Sequence, residues 1–187
     1  MTYPVNPALL TYMSITVQLN ESIKKGLLLP FMPRSRKPAK RCLFMTKDAA
    51  TKYQDVNSAV NSLVGKGYVD AAFAKWVLGD RIHNDGTKRK QGRFLKKLSE
   101  PPPEIWEIRV TDPVPQCRIL GRFAAPDVLI VTGFYTRPDL GKKGSAAWTS
   151  AINECVDGWR KLFNEAAPFS ALSIHGYVTE NCDDISL

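Results

Sequence analysis

The stretch IWEIRVTDPVPQCRILGRFAAPDVLIVTGFYTR, residues 105–137, decides the reading of this chain. Its first part alternates. Trp106, Ile108 and Val110 fall on one side and Glu107, Arg109 and Thr111 on the other, the period of a half-buried strand. Asp112, Pro113 and Pro115 supply a turn, because the prolines fix φ and withdraw backbone donors. A second alternating run sets Cys117, Ile119 and Phe123 against Arg118, Leu120 and Arg122. After a turn at 124–127, the β-branched run 128–135 makes a third strand. Consecutive strands on short connections predict an antiparallel meander.

Toward the C-terminus, Trp148, Ile152, Cys155, Trp159 and Leu162 recur at spacings of four, three, four and three, one face of a helix that packs on the sheet. The tail beyond it has a short mixed stretch, 172–178, and then Glu180, Asp183 and Asp184, read as an edge strand or a loose end. Toward the N-terminus, Pro101, Pro102 and Pro103 stop a short helix read over 93–98. Further back, Ala49, Tyr53, Val56, Val60 and Leu63 form a helical stripe ended by Gly65 and Gly67. Asp70 is placed to cap a second helix carrying Phe73, Trp76 and Val77. The expected class is α+β: an N-terminal helical hairpin, an antiparallel meander and a packed C-terminal helix. The domain is read over 46–166, between an arm at 1–45 and a tail at 167–187.

The chain has 187 residues, with 26 Lys and Arg against 18 Asp and Glu and a formal charge of +8. At 44% hydrophobic it is neither a disordered nor a fibrous chain, and it can bury a core without a metal or disulfide staple. The positive field favours nucleic acid, an anionic membrane or an acidic protein. Cys42, Cys117, Cys155 and Cys182 are scattered and only His83 and His175 accompany them, so neither a zinc site nor a disulfide framework is read, and no metal or cofactor is expected. No apolar run approaches the roughly 20 residues of a membrane helix. No secretory signal is read, so a reducing, cytoplasmic setting is expected.

Residues 22–47 carry Lys24, Lys25, Arg34, Arg36, Lys37, Lys40, Arg41 and Lys47 without an acid, and Pro30, Pro33 and Pro38 interrupt them. This reads as a mostly irregular basic arm: a nucleic-acid contact, a solvated tail, or a segment ahead of a start at Met45. A second basic run, Lys88, Arg89, Lys90, Arg93, Lys96 and Lys97, is either an RNA-binding field or a solvated helix face.

In order and spacing, IWEIRV, QCRILGRF, VLIVTGFYTR and SAAWTSAINECVDGW resemble the strands and closing helix of the RelE/ParE toxin superfamily, in its HigB-like or phage-derived branch. The resemblance is best over 104–163. It implies a toxin of a toxin-antitoxin pair: a ribosome-dependent endoribonuclease that cuts messenger RNA through the 2′-hydroxyl beside the scissile phosphate, inhibits translation, and is restrained by a cognate antitoxin. Carried over by position, it implies catalytic roles for Arg109, Arg118 and Arg137; Arg122, which alternation puts on the strand face of Arg118, is an RNA-binding candidate. Glu107 stands where a lysine is often found. Trp148 stands where RelE has a tyrosine, and having no ionisable hydroxyl it either stacks on a base or belongs to the core. Tyr135 is the nearby phenol, its side of the sheet left open by the alternation. The alternative functions are a non-catalytic gyrase inhibitor of the ParE kind and a phage accessory protein that binds nucleic acid or a protein target.

Overall fold

Alternating apolar residues build the centre of the protein as the sequence predicts. The computed structural model describes residues 7–55, 57–83, 94–99 and 101–183. In chain order the elements are α1 (Pro7–Lys24), β1 (Leu28–Pro30), β2 (Cys42–Thr46), α2 (Lys47–Gln54), a π-helical turn (Val60–Val64) and α3 (Lys66–Val77). Then follow β3 (Ile82–His83), β4 (Leu95–Lys97), β5 (Trp106–Val110), β6 (Cys117–Ala125), β7 (Val128–Thr136), α4 (Arg137–Leu140), α5 (Ala146–Phe163), α6 (Ile174–Tyr177) and β8 (Cys182–Asp183). The class is α+β.

The meander is β5, β6 and β7, antiparallel, with Ile108 opposite Ile119 and Ile119 opposite Phe134. Three further strands extend it into a six-stranded mixed sheet in the order β1-β2-β7-β6-β5-β4. β2 runs parallel to β7, with Cys42 opposite Val128 and Met45 opposite Val131. On one face, α2, α3 and the segment around α6 enclose a core of Leu43, Phe73, Trp76, Trp106, Ile108, Phe123, Val131 and Tyr177. On the other, α5 covers Leu120 and Ile130 with Trp148, Ile152, Cys155 and Trp159, and Ile15 of α1 packs beside Phe163. Ser145 starts α5 by accepting the Trp148 amide, and Asn164, at φ 51, ends it.

Several local expectations are corrected. The stripe 49–63 is broken because Asn61 turns its amide onto the carbonyls of Tyr53 and Asp55, at 2.9 and 2.6 Å, closing α2 after Gln54. Asp70 does not cap α3, which begins at Lys66; its carboxylate instead accepts the Tyr53 hydroxyl and pairs with Lys66 at 3.2 Å. The short helix expected at 93–98 is β4, whose Leu95 faces the core opposite Ile108.

Among the described residues of the arm, 7–45, only part is irregular, chiefly the loop 31–41. The arm contributes a helix and an edge strand, and Arg41, only 3% exposed, leads directly into β2. Of the tail, the described residues 167–183 are packed: Ile174, Tyr177 and Val178 are core residues, and β8 pairs with β3 rather than with the main sheet. The tail is fastened by Phe169 N donating to the Phe123 carbonyl at 2.8 Å and Asp127 N to the Tyr177 carbonyl at 2.9 Å. Among the described residues no helix is long and apolar enough to cross a membrane.

Candidate functional site

The face of the meander toward α5 carries Glu107 and Arg109 on β5 because Trp106, Ile108 and Val110 take the opposite face. Arg118 stands opposite Arg109, and Tyr135 opposite Arg118, so three candidate residues form a row across three strands. Strict alternation leaves the side of Tyr135 open, and a register shift answers it. Leu120 pairs with Gly133 while Gly121 pairs with Val131, so β7 has one extra residue there, and beyond it Phe134 joins the α2–α3 core while Tyr135 turns toward α5. A Cβ at Gly133 would lie 2.6 Å from the Tyr135 hydroxyl, so a larger residue there would displace the phenol.

Glu107 is the hub. It is 1% exposed, its Oε1 accepts from Arg109 Nε at 2.6 Å, and its Oε2, which accepts no hydrogen bond, lies 3.6 Å from Arg118 Nε. Arg118 also donates to Gln116 Oε1 at 2.9 Å and to the Cys117 carbonyl at 3.0 Å. Arg137 opens α4, donates its amide to the Gln116 carbonyl at 2.7 Å and its guanidinium to the Gly141 carbonyl. Burial pushes the Arg118 guanidinium down; Glu107 opposes this, and the neighbouring charges of Arg109 and Arg137 push it down further. The three arginines predicted as catalytic are therefore one electrostatic group. Lys96, opposite Glu107 on β4, belongs to the same face.

Tyr135 donates to Glu154 Oε2 of α5 at 2.9 Å. Burial and then Glu154 push its phenol well above the ordinary tyrosine range, so it keeps its proton. Tyr135 and Glu154 line a groove of about 330 Å³ with Lys52, Phe134 and Asp139. Through Lys52 and Glu154 this groove continues into one of about 470 Å³ between α2 and α5.

Four predicted contacts sit elsewhere. Arg122, 5% exposed, donates to the carbonyls of Pro103 and Glu104 at 2.8 and 3.4 Å and lies over Trp159, so its role is structural. Lys97 points to the other face, where its Nζ meets Glu104 Oε1 at 2.5 Å and the Tyr177 hydroxyl at 3.1 Å. Trp148, 8% exposed, packs with Leu120, Leu140 and Ile152, so no ring face is open for base stacking. Arg41 of the basic arm bonds to the carbonyls of Trp76, Asp80 and Glu180 and pairs with Asp127 at 3.6 Å. Lys88, Arg89, Lys90 and Arg93 lie outside the described residues.

Sequence reasoning missed Gln116 and Glu154 and took Glu107 only as a departure from a family pattern. The signal for Glu107 was its place between Trp106 and Ile108 beside Arg109, an acid alternating into a strand whose cross-strand neighbours are basic. Among the described residues no group of three or more His, Cys, Asp or Glu side chains is placed to hold a metal ion. No family model, curated protein or solved structure matches the chain.

Proposed function

We propose that the chain is a RelE/ParE-type toxin of the HigB-like or phage-derived kind, a cytoplasmic, ribosome-dependent endoribonuclease that a cognate antitoxin restrains. One observation carries the reading: Arg109 and Arg118 share the single carboxylate of Glu107, and Arg137 at the start of α4 is near enough for its charge to act on Arg118, so three cations stand against one acid. The order of elements, paired helices, meander and closing helix, supports it as well. In such a cleavage the 2′-oxygen gives its proton to a base, here solvent water or the ribosome, and bonds to phosphorus as the bond to the 5′-oxygen breaks and that oxygen takes up a proton; the charge of the phosphorane needs fixed cations. Arg109 and Arg137, both half-buried, reach the phosphate. Arg118, held by Gln116 and Glu107, backs them. Tyr135 keeps its proton and is therefore not the base; to donate to the leaving oxygen its hydroxyl must turn away from Glu154.

A second reading, a non-catalytic protein of the same fold that inhibits gyrase or serves a phage as an accessory binder, is favoured by Trp148, which is buried and has no ionisable group. Purified chain added to ribosomes translating a defined message separates the two. Primer extension should find cuts only in the presence of ribosomes, and Arg137→Gln should lose them. An intact message with ribosomes present overturns the nuclease reading and leaves the binding one.

A further inference from the structure

The whole formal charge of the chain traces to one stretch. Residues 22–47 hold eight of the 26 cations and none of the 18 acids, so the rest of the chain, with 18 of each sign, is formally neutral. The fold sorts these eight. Arg41 is buried and paired with Asp127, Lys25 pairs with Glu21 at 3.2 Å, and Lys40 pairs with Glu180 at 3.3 Å. Arg34, Arg36 and Lys37 are exposed on the loop 31–41 between β1 and β2, and none of them forms an ion pair with a described residue.

The loop is held at its base. Phe31 N donates to the Leu43 carbonyl at 2.9 Å, and Lys40 N and Arg41 N both donate to the Val77 carbonyl, at 2.8 and 3.1 Å. Pro33 and Pro38 restrict its backbone, and Ser35 Oγ accepts the Lys37 amide at 3.1 Å. Part of the ordering cost of binding is therefore met beforehand. The point where the loop re-enters the sheet is offset along β7 from Arg118. The loop re-enters at Cys42 opposite Val128, whereas Arg118 is opposite Tyr135. Seven residues along β7 separate these points, about 23 Å at roughly 3.3 Å per residue.

We propose that the loop 31–41 is a second binding surface, for the backbone of RNA, with Arg34, Arg36 and Lys37 on successive phosphates. Guanidinium forks match phosphate oxygens. Three exposed cations within four residues of a restrained loop fit a polyanion with a charge every ~3.4 Å along a strand better than a single small anion. Met32, 76% exposed, is the large apolar side chain that the loop offers to solvent, too little for insertion into lipid. The inference rests on the charge distribution and stands whether or not the chain cuts RNA.

Fluorescence anisotropy of the full chain with a labelled single-stranded RNA of about 20 nucleotides, titrated against salt, tests it. Arg34→Gln/Arg36→Gln/Lys37→Gln should weaken binding at least tenfold at low salt. It should also make the slope of log K against log salt shallower by about 2, three contacts at ~0.7 each. Lys142→Gln/Arg160→Gln/Lys161→Gln removes the same charge elsewhere and should change the slope little. Equal slopes in the two variants, or no RNA binding by the parent chain, overturn the proposal. Loss of binding only to phosphatidylserine vesicles, or only to a polyglutamate peptide, would overturn it in favour of a membrane or an acidic protein. Circular dichroism confirms that both variants are folded.

Discussion

Glu107→Gln removes one charge and almost no volume from the centre of the arginine group. The parent carboxylate is 1% exposed and faces guanidiniums at 2.6 and 3.6 Å. Removing one partner of a buried ion pair costs about 3–5 kcal/mol, because the remaining charge stays desolvated. Two features place this case at the lower end. The side chains of Arg109 and Arg118 are 18% and 9% exposed and reach the edge of solvent, and the glutamine carbonyl still accepts one hydrogen bond. The expected loss is therefore about 3 kcal/mol. At a urea m-value of about 2 kcal/mol/M, the unfolding midpoint falls by about 1.5 M. Adding Arg109→Gln should cost at least about 1 kcal/mol less than the sum of the two single changes, since the stranded cation leaves with it. A midpoint shift below about 0.3 M with an unchanged m-value would refute the assignment of Glu107 as the group that holds the arginines.

Glu104 gives a pH signature. Burial pushes its carboxyl up, but the hydrogen bonds of Lys97, Tyr177 and Ser170 outweigh this and hold it below its ordinary 4.5. Its contribution is full above about pH 4.5 and is lost as pH falls through the lowered value; Glu104→Gln should flatten melting temperature against pH in that acidic range. Tyr177→Phe removes the hydroxyl that donates to Glu104 at 2.7 Å and should cost about 1–3 kcal/mol in urea unfolding, with the tail opening first by hydrogen exchange. Gly121→Ala places a Cβ 2.3 Å from the Ile130 carbonyl oxygen, which backbone cannot yield, and should lower stability by about 1–3 kcal/mol or more in thermal unfolding.

The meander and α5 are legible in the sequence because their apolar residues keep periods of two and near 3.6 over enough residues to be counted. β2 is not, for a physical reason. A strand flanked in the sheet by β1 and β7 needs no strict alternation, and CLFMT reads as the end of a basic arm. β4 is three residues long, too short to display any period.

Of the site, alternation places Arg109 and Arg118 on strand faces and Arg137 at a strand end, while their coming together depends on the cross-strand register that sets Arg109 opposite Arg118. The side of Tyr135 is not legible, since it depends on a bulge at Thr132, three residues before it. The structural fates of Arg41, Lys97 and Arg122 depend on Asp127, Tyr177 and Pro103, partners distant in the chain that no local pattern announces.

The most direct test of the central claim is induced expression of the chain, beside its Arg137→Gln variant, in a bacterium, with 5′-end mapping of messages minutes later. The account predicts growth arrest with codon-phased cuts inside translated messages for the parent chain, and neither for the variant at matched expression and circular dichroism. Arrest with intact messages, or equal cutting by the variant, would contradict it.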